Sequence, residues 1–163
     1  MGDHGAMTSD DPIRLLALRE TPLSVDEVHR AVADDAAGGT VLFVGSVRDH
    51  DGHVEGAAVT SLEYSAHPTA EAELRRVAAD VLAEFPGCAL AAVHRLGRLA
   101  VGDLAVVVAV SAAHRGEAFE ASRRLIDDLK RRVPIWKHQR FADGSEEWVG
   151  AGVGCSAPTA PVA

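Results

Sequence analysis

The chain has 163 residues, 47% hydrophobic and 25% charged, which suits one globular domain with a real core and excludes a disordered chain. Its 24 acidic and 16 basic side chains leave a net charge of -8, against nucleic acid as the main partner, and no apolar run approaches the roughly 18 residues of a membrane span. Two distant cysteines, Cys88 and Cys155, indicate neither a disulfide framework nor a zinc site, and Met1 to Met7 is too polar for a secretory signal, so a reducing cytoplasm is the expected setting.

Strand and helix patterns alternate without a repeat inside a single domain at 12–150, with flexible ends expected at 1–11 and 151–163. Ile13 to Leu18 is a short apolar run and predicts a strand. Ser24 caps a helix that has Asp26 and Glu27 in its first turn and Gly38-Gly39 beyond its end. Thr40 to Val47 is β-branched and apolar, a buried strand. The charged turn from Arg48 to Gly56 then predicts a hairpin with Val59 to Tyr64. Pro68 opens a long helix to about Phe85, with Ala70, Leu74, Val77, Ala78, Val81 and Leu82 on one stripe. Ala89 to His94 and Leu104 to Ser111 read as two more strands, separated by a turn around Gly97 and Gly102. A second long helix runs from about Gly116 to Arg132, its stripe being Ala118, Phe119, Ser122, Leu125, Ile126 and Leu129. Pro134 stops it, Ile135 to Lys137 is extended, and Asp143-Gly144 turns the chain into Trp148-Val149. The fold class is α+β: a mainly antiparallel sheet with hairpins and two long helices packed on it.

Several chemistries fail at once. There is no G-x-S-x-G elbow, H-E-x-x-H or P-loop. Asp49-His50-Asp51-Gly52-His53 reads as a polar turn rather than a metal site. His94, inside an apolar strand, reads as a satisfied core or interface histidine. Cys88 has no basic residue beside it and is a poor thiolate nucleophile.

Charge is concentrated where chemistry remains possible. Residues 114–140 carry eight basic and four acidic side chains in an otherwise acidic chain, which fits either a local anion site or a solvated helix face with i,i+4 ion pairs. Arg48, after Gly45-Ser46-Val47, stands at a strand end where a phosphate or carboxylate fits, or it is a surface arginine of the hairpin. His114-Arg115 precedes a helix, so the pair either assists an anion at the helix N-terminus or belongs to a cap without ligand. Among the 16 basic residues only Lys130 and Lys137 are lysines, one at a helix end and one beyond a helix-stopping proline. If the bend brings them together, they offer an acid, a base or an oxyanion partner. The alternative is a lysine favoured by the helix dipole and an unrelated surface lysine.

From Gly39 to Val149 the chain resembles the catalytic (large) subunit family of molybdopterin synthase. The motifs occur in order: F-V-G-S-V-R (43–48), L-E-Y (62–64), H-R-L-G (94–97), V-G-D (101–103), S-A-A-H-R-G-E-A-F (111–119), L-K-R-R-V-P-I-W-K (129–137) and W-V (148–149). The resemblance implies a hammerhead-like α/β fold and sulfur transfer into cyclic pyranopterin monophosphate, making the dithiolene of molybdopterin. The sulfur comes as a thiocarboxylate on the Gly-Gly C-terminus of a small ubiquitin-like subunit, and no resident cofactor or metal is implied. This chain ends Thr159-Ala160-Pro161-Val162-Ala163, so it is not itself that donor. The family pocket maps to Ser46, Val47, Arg48, His114, Arg115, Lys130, Lys137, His138 and Gln139. In it Arg48, His114 and Arg115 hold the phosphate and pterin, while Lys130 and Lys137 position and protonate groups as sulfur adds. A thioester to the partner is then hydrolysed beside a cation.

Two departures from the family pattern stand out. Gln139 replaces the usual acidic residue two positions after the second lysine and hydrogen-bonds without neutralising it. Ser65, His67 and Thr69 replace an acidic residue, an aromatic and a methionine after Leu62-Glu63-Tyr64. Length adds a constraint, because His114 and Lys130 are about 24 Å apart along a straight helix at 1.5 Å per residue. Both therefore serve one ligand only if His114 and Arg115 come from a second subunit. A homodimer with composite sites, within a heterotetramer, is expected. The contrasting expectation is a non-catalytic anion- or partner-binding protein of the same fold.

Overall fold

The computed structural model describes residues 10–50 and 58–150. Apart from Asp10 and Asp11, the expected loose ends lie outside the described residues, as do Asp51-Gly52-His53 of the polar loop and Cys155. Eleven elements follow in chain order: β1 (Ile13–Arg19), α1 (Val25–Ala31), β2 (Gly39–Ser46), β3 (Val59–Ala66), α2 (Ala70–Glu84), β4 (Ala89–Arg95), β5 (Gly97–Leu99), β6 (Leu104–Ala112), α3 (Arg115–Arg132), β7 (Ile135–Phe141) and β8 (Glu146–Val149). The fold is α+β, as expected. No helix among the described residues is long and apolar enough to cross a membrane.

The larger sheet has the order β1-β4-β6-β2, with β1 parallel to β4 and the other pairs antiparallel. Its central strands are buried on both faces, which is why β4 and β6 read as continuous apolar runs. The two-residue side-chain period sorts them. Leu90, Ala92, Val106, Val108 and Val110 pack under α2 and α3, while Ala91, Val93, Val107 and Ala109 face Val28 and Val32 near α1. Ser24 caps α1 through its side-chain oxygen, which accepts from the Glu27 N–H at 3.2 Å. Helix α2 begins two residues after Pro68. His67 and Thr69 hydrogen-bond each other and hold that stretch as a turn.

The smaller sheet has the order β5-β3-β7-β8, all antiparallel. It joins the larger one through a small buried cluster of Val47, Leu62, Leu99 and Ala105.

Two expectations need correction. The hairpin between the strands before and after Arg48 does not form, because β2 pairs with β6 while β3 pairs with β5 and β7. Past Ser46 the Val47 N–H donates to Asp103 O at 2.9 Å and Val47 O accepts from the Gly102 N–H at 2.8 Å, which draws the chain out of the larger sheet. Among the described residues the arms meet beside the loop, at the Val59 N–H to Asp49 O bond and the His50–Ala58 bridge. Phe119 is also off the buried stripe. It is 62% exposed, because α3 sets Ala118, Ala121, Ser122 and Leu125 against the sheet.

Candidate active site

Strand direction decides which residues share an end of the molecule. Gly39 pairs with Ala112 and Ser46 with Leu104, so β2 begins where β6 ends. His94 pairs with Val106, near the start of β6. Helix α3 leaves the far end of β6 and packs back along β2 and β6. Gly39 lies close under its start, since a Cβ there would stand 3.3 Å from Arg115 Cα. His114 and Arg115 therefore occupy one end of the larger sheet. Ser46, Arg48, His94 and Lys130 occupy the other, where the smaller sheet joins.

At that second end is a cavity of about 240 Å³ bordered by Tyr64, His94, Lys130 and Lys137, with Val133 and Ile135 among its apolar walls. Four elements, β3, β4, α3 and β7, and a helix stop bring these side chains together. Lys130 is in the last turn of α3, whose C-cap Val133 is extended, and Pro134 turns the chain into β7. On β7, Lys137 is directly opposite Tyr64 of β3. Both lysines thus border one cavity although they lie on different elements. Val149 and Gly150, at the end of β8, contribute to the wall.

His94 is the cavity's buried polar wall, 8% exposed. Its ring meets Tyr64 edge-to-face at 4.8 Å and 86°. Nδ1 lies 2.7 Å from Arg95 O, and since a carbonyl only accepts, Nδ1 carries the hydrogen. Burial holds the imidazole pKa below its usual value, and the positive charge of Lys130 acts in the same direction.

The other expected site residues are spread around this centre. Ser46 is the exposed last residue of β2, and Arg48 is exposed two positions on. Val47 is buried, with both backbone groups bonded at the sheet junction. His114 is the N-cap residue of α3 without a side-chain capping bond, and it and Arg115 are exposed. Along β7, Lys137 and Gln139 project to one face and His138 to the other. Gln139 is 2% exposed, paired opposite Leu62. His138 stacks on Trp148 at 4.3 Å and contacts Glu146 at 3.1 Å, bracing β8 against β7. It borders a separate polar depression with Glu63, Arg98 and Arg140.

His50 pairs with Asp49 at 2.6 Å on the surface, and no group of three metal-ligand side chains occurs among the described residues. Burial pushes the Cys88 thiol up, and Glu117 adds to the shift, so it is held as a thiol. Sequence reasoning missed His94 and Tyr64 as site residues. The signal was present in the H-R-L-G and L-E-Y motifs, but an apolar strand pattern made His94 read as core.

Residues 18–132 match the family model described as MoaE protein. The chain is 46% identical over 134 residues to molybdopterin synthase catalytic subunit 1 of Mycobacterium tuberculosis, covering 82% of this chain and 88% of that protein. It is 43% identical over 139 residues to the molybdopterin synthase catalytic subunit of Nostoc sp., covering 83% and 82%. Among solved structures, molybdopterin synthase from Staphylococcus aureus matches with a TM-score of 0.74 at 30% identity, covering 86% of this chain and 98% of that one.

Proposed function

The chain belongs to the MoaE protein family, and from that premise we propose that it is the catalytic subunit of a molybdopterin synthase. It acts as a sulfurtransferase on cyclic pyranopterin monophosphate, with a small ubiquitin-like subunit as thiocarboxylate donor, in the cytoplasm and without a resident metal or cofactor. The catalytic unit lies within residues 12–150. One observation carries the reading: the chain's only two lysines border one cavity.

The chemistry needs cations at that place. A thiocarboxylate sulfur attacks a substrate carbon, a phosphate oxygen leaves as the cyclic ester opens, and water later adds to the thioester that remains. Each step develops negative charge on oxygen, which an ammonium in a partly dry pocket stabilises. Lys130 and Lys137 take that role, with Gln139 orienting the second. Ser46 and Val47 carry Arg48 to the cavity's end of the sheet, and His138 acts through β8, whose Val149 forms part of the wall.

His114 and Arg115 reach the site from a second copy of the chain. One helix separates them from Lys130 by about 24 Å. The exposed Phe119, one turn beyond Arg115, gives that end an apolar surface for a dimer.

The test mixes the full chain with thiocarboxylated partner and cyclic pyranopterin monophosphate and measures dithiolene product. Wild type is expected to turn over, and Lys130→Ala to lose about 10²-fold or more in kcat. Partner binding without product would make the chain a binding protein, and undiminished Lys130→Ala would reject the lysine's role.

A further inference from the structure

His94 is a buried titratable group that the lysine chemistry leaves unused, yet it forms part of the same cavity wall. Its surroundings prepare it for one task. Nδ1 is committed as donor to Arg95 O at 2.7 Å, so the neutral ring has its lone pair on Nε2. The edge-to-face contact with Tyr64 fixes the ring plane. The charged and titratable groups that border the cavity with it are Lys130 from α3, Lys137 from β7 and Tyr64 from β3. Two of these are cationic and none is a carboxylate, and although the bond to Arg95 O favours the imidazolium, burial outweighs it. Burial, with Lys130 beside it, keeps the ring neutral to lower pH than a solvent-exposed histidine.

A neutral imidazole beside two ammonium groups completes the requirements for hydrolysing an acyl compound: a base for water and a cation for the oxyanion. We propose that His94 is the general base of the hydrolytic half-reaction, its Nε2 taking a proton from the water that attacks the thioester joining partner to substrate. The inference rests on the sulfur-transfer reading above and assigns the step that the two lysines cannot perform as cations. Water oxygen bonds to the acyl carbon while one of its protons passes to Nε2. The resulting oxyanion, held by a lysine, collapses and breaks the C–S bond. Sulfur leaves on the substrate as a thiolate, and the partner leaves as a carboxylic acid that ionises. The imidazolium returns its proton to the thiolate or to solvent. No oxidant or reductant is needed.

The experiment is a single turnover with thiocarboxylated partner and cyclic pyranopterin monophosphate, quenched in acid and read by intact mass. In wild type the covalent partner–substrate species forms and decays. In His94→Gln it is expected to form at a comparable rate and decay about 10²-fold more slowly, so that it accumulates. Decay at the wild-type rate, or failure of the folded variant to form the species at all, would overturn the assignment. Absence of the covalent species in wild type would instead overturn the sulfur-transfer reading, and the assignment with it. Should His94→Gln not fold, the wild-type pH profile decides. A base must be unprotonated, so decay is expected to slow tenfold per pH unit only below a pKa under the usual value of about 6.5. A rate independent of pH through that range would overturn the role of His94.

Discussion

Asp128 shows how a single side chain sorts the basic segment into structure and chemistry. It is 1% exposed on α3 and takes Arg124 at 2.9 Å, Arg131, and Arg132 at 3.8 Å. Arg132 also reaches Asp80 of α2 at 2.7 Å, and Arg124 reaches Glu84 at 3.6 Å. Three of the eight basic residues in 114–140 are thus ion-paired with Asp128, and two of them, Arg124 and Arg132, also tie α3 to α2, as the ion-paired helix-face reading holds. Lys130 stands outside this network and borders the cavity instead. The arginines are partly exposed, which screens them, but the carboxylate is not. Asp128→Ala is expected to destabilise the fold by about 2 kcal/mol through lost charged hydrogen bonds, read as a lower urea midpoint. An unchanged midpoint would show the network to be energetically idle.

At the scale of elements, the helices and the central strands were legible because their periodicity reports directly on burial. Leu74, Val77, Ala78 and Val81 of α2 recur at helical spacing, and all four are buried. The unread element was β5. It has only three residues and begins at Gly97, whose φ of +84° lets the chain leave β4 in the larger sheet and join β3 in the smaller. No hydrophobic period exists over three residues. Gly97→Ala is expected to cost about 1–2 kcal/mol from the left-handed backbone alone. Because β5 pairs with β3 next to Tyr64, amide hydrogen exchange should speed up in β3 and β5 more than in β4 and β6. Uniform exchange across both sheets would contradict the switch role. The absent hairpin between β2 and β3 has the same origin, because local sequence specifies two strands and a turn but not which sheet each joins.

For the whole molecule, the proposed composite site makes a quantitative expectation. Lys130 and the pair His114 and Arg115 stand at opposite ends of α3, so variants lacking one group or the other are each inactive as homodimers if sites are shared across copies. Mixing Lys130→Ala with a His114→Ala/Arg115→Ala variant under subunit exchange creates dimers with one intact site. Random exchange should restore about a quarter of wild-type product formation. No restoration, with exchange verified by native mass spectrometry, would place the site within one copy.

Composition, periodicity and ordered motifs were enough to determine an α+β fold, its two long helices, its family resemblance and the two lysines proposed for the chemistry. These are properties of local spacing or of residue type, and a linear chain displays both. Tertiary structure alone decided that Lys130 and Lys137 border one cavity, that His138 faces away from it, and that His94 belongs to its wall. The physical reason is that a site is defined by which ends of strands and helices meet. Antiparallel pairing of β4, β6 and β2, the return of α3 and the bend at Pro134 set that meeting. Of these only the bend at Pro134 is local in sequence; the others join residues far apart along the chain.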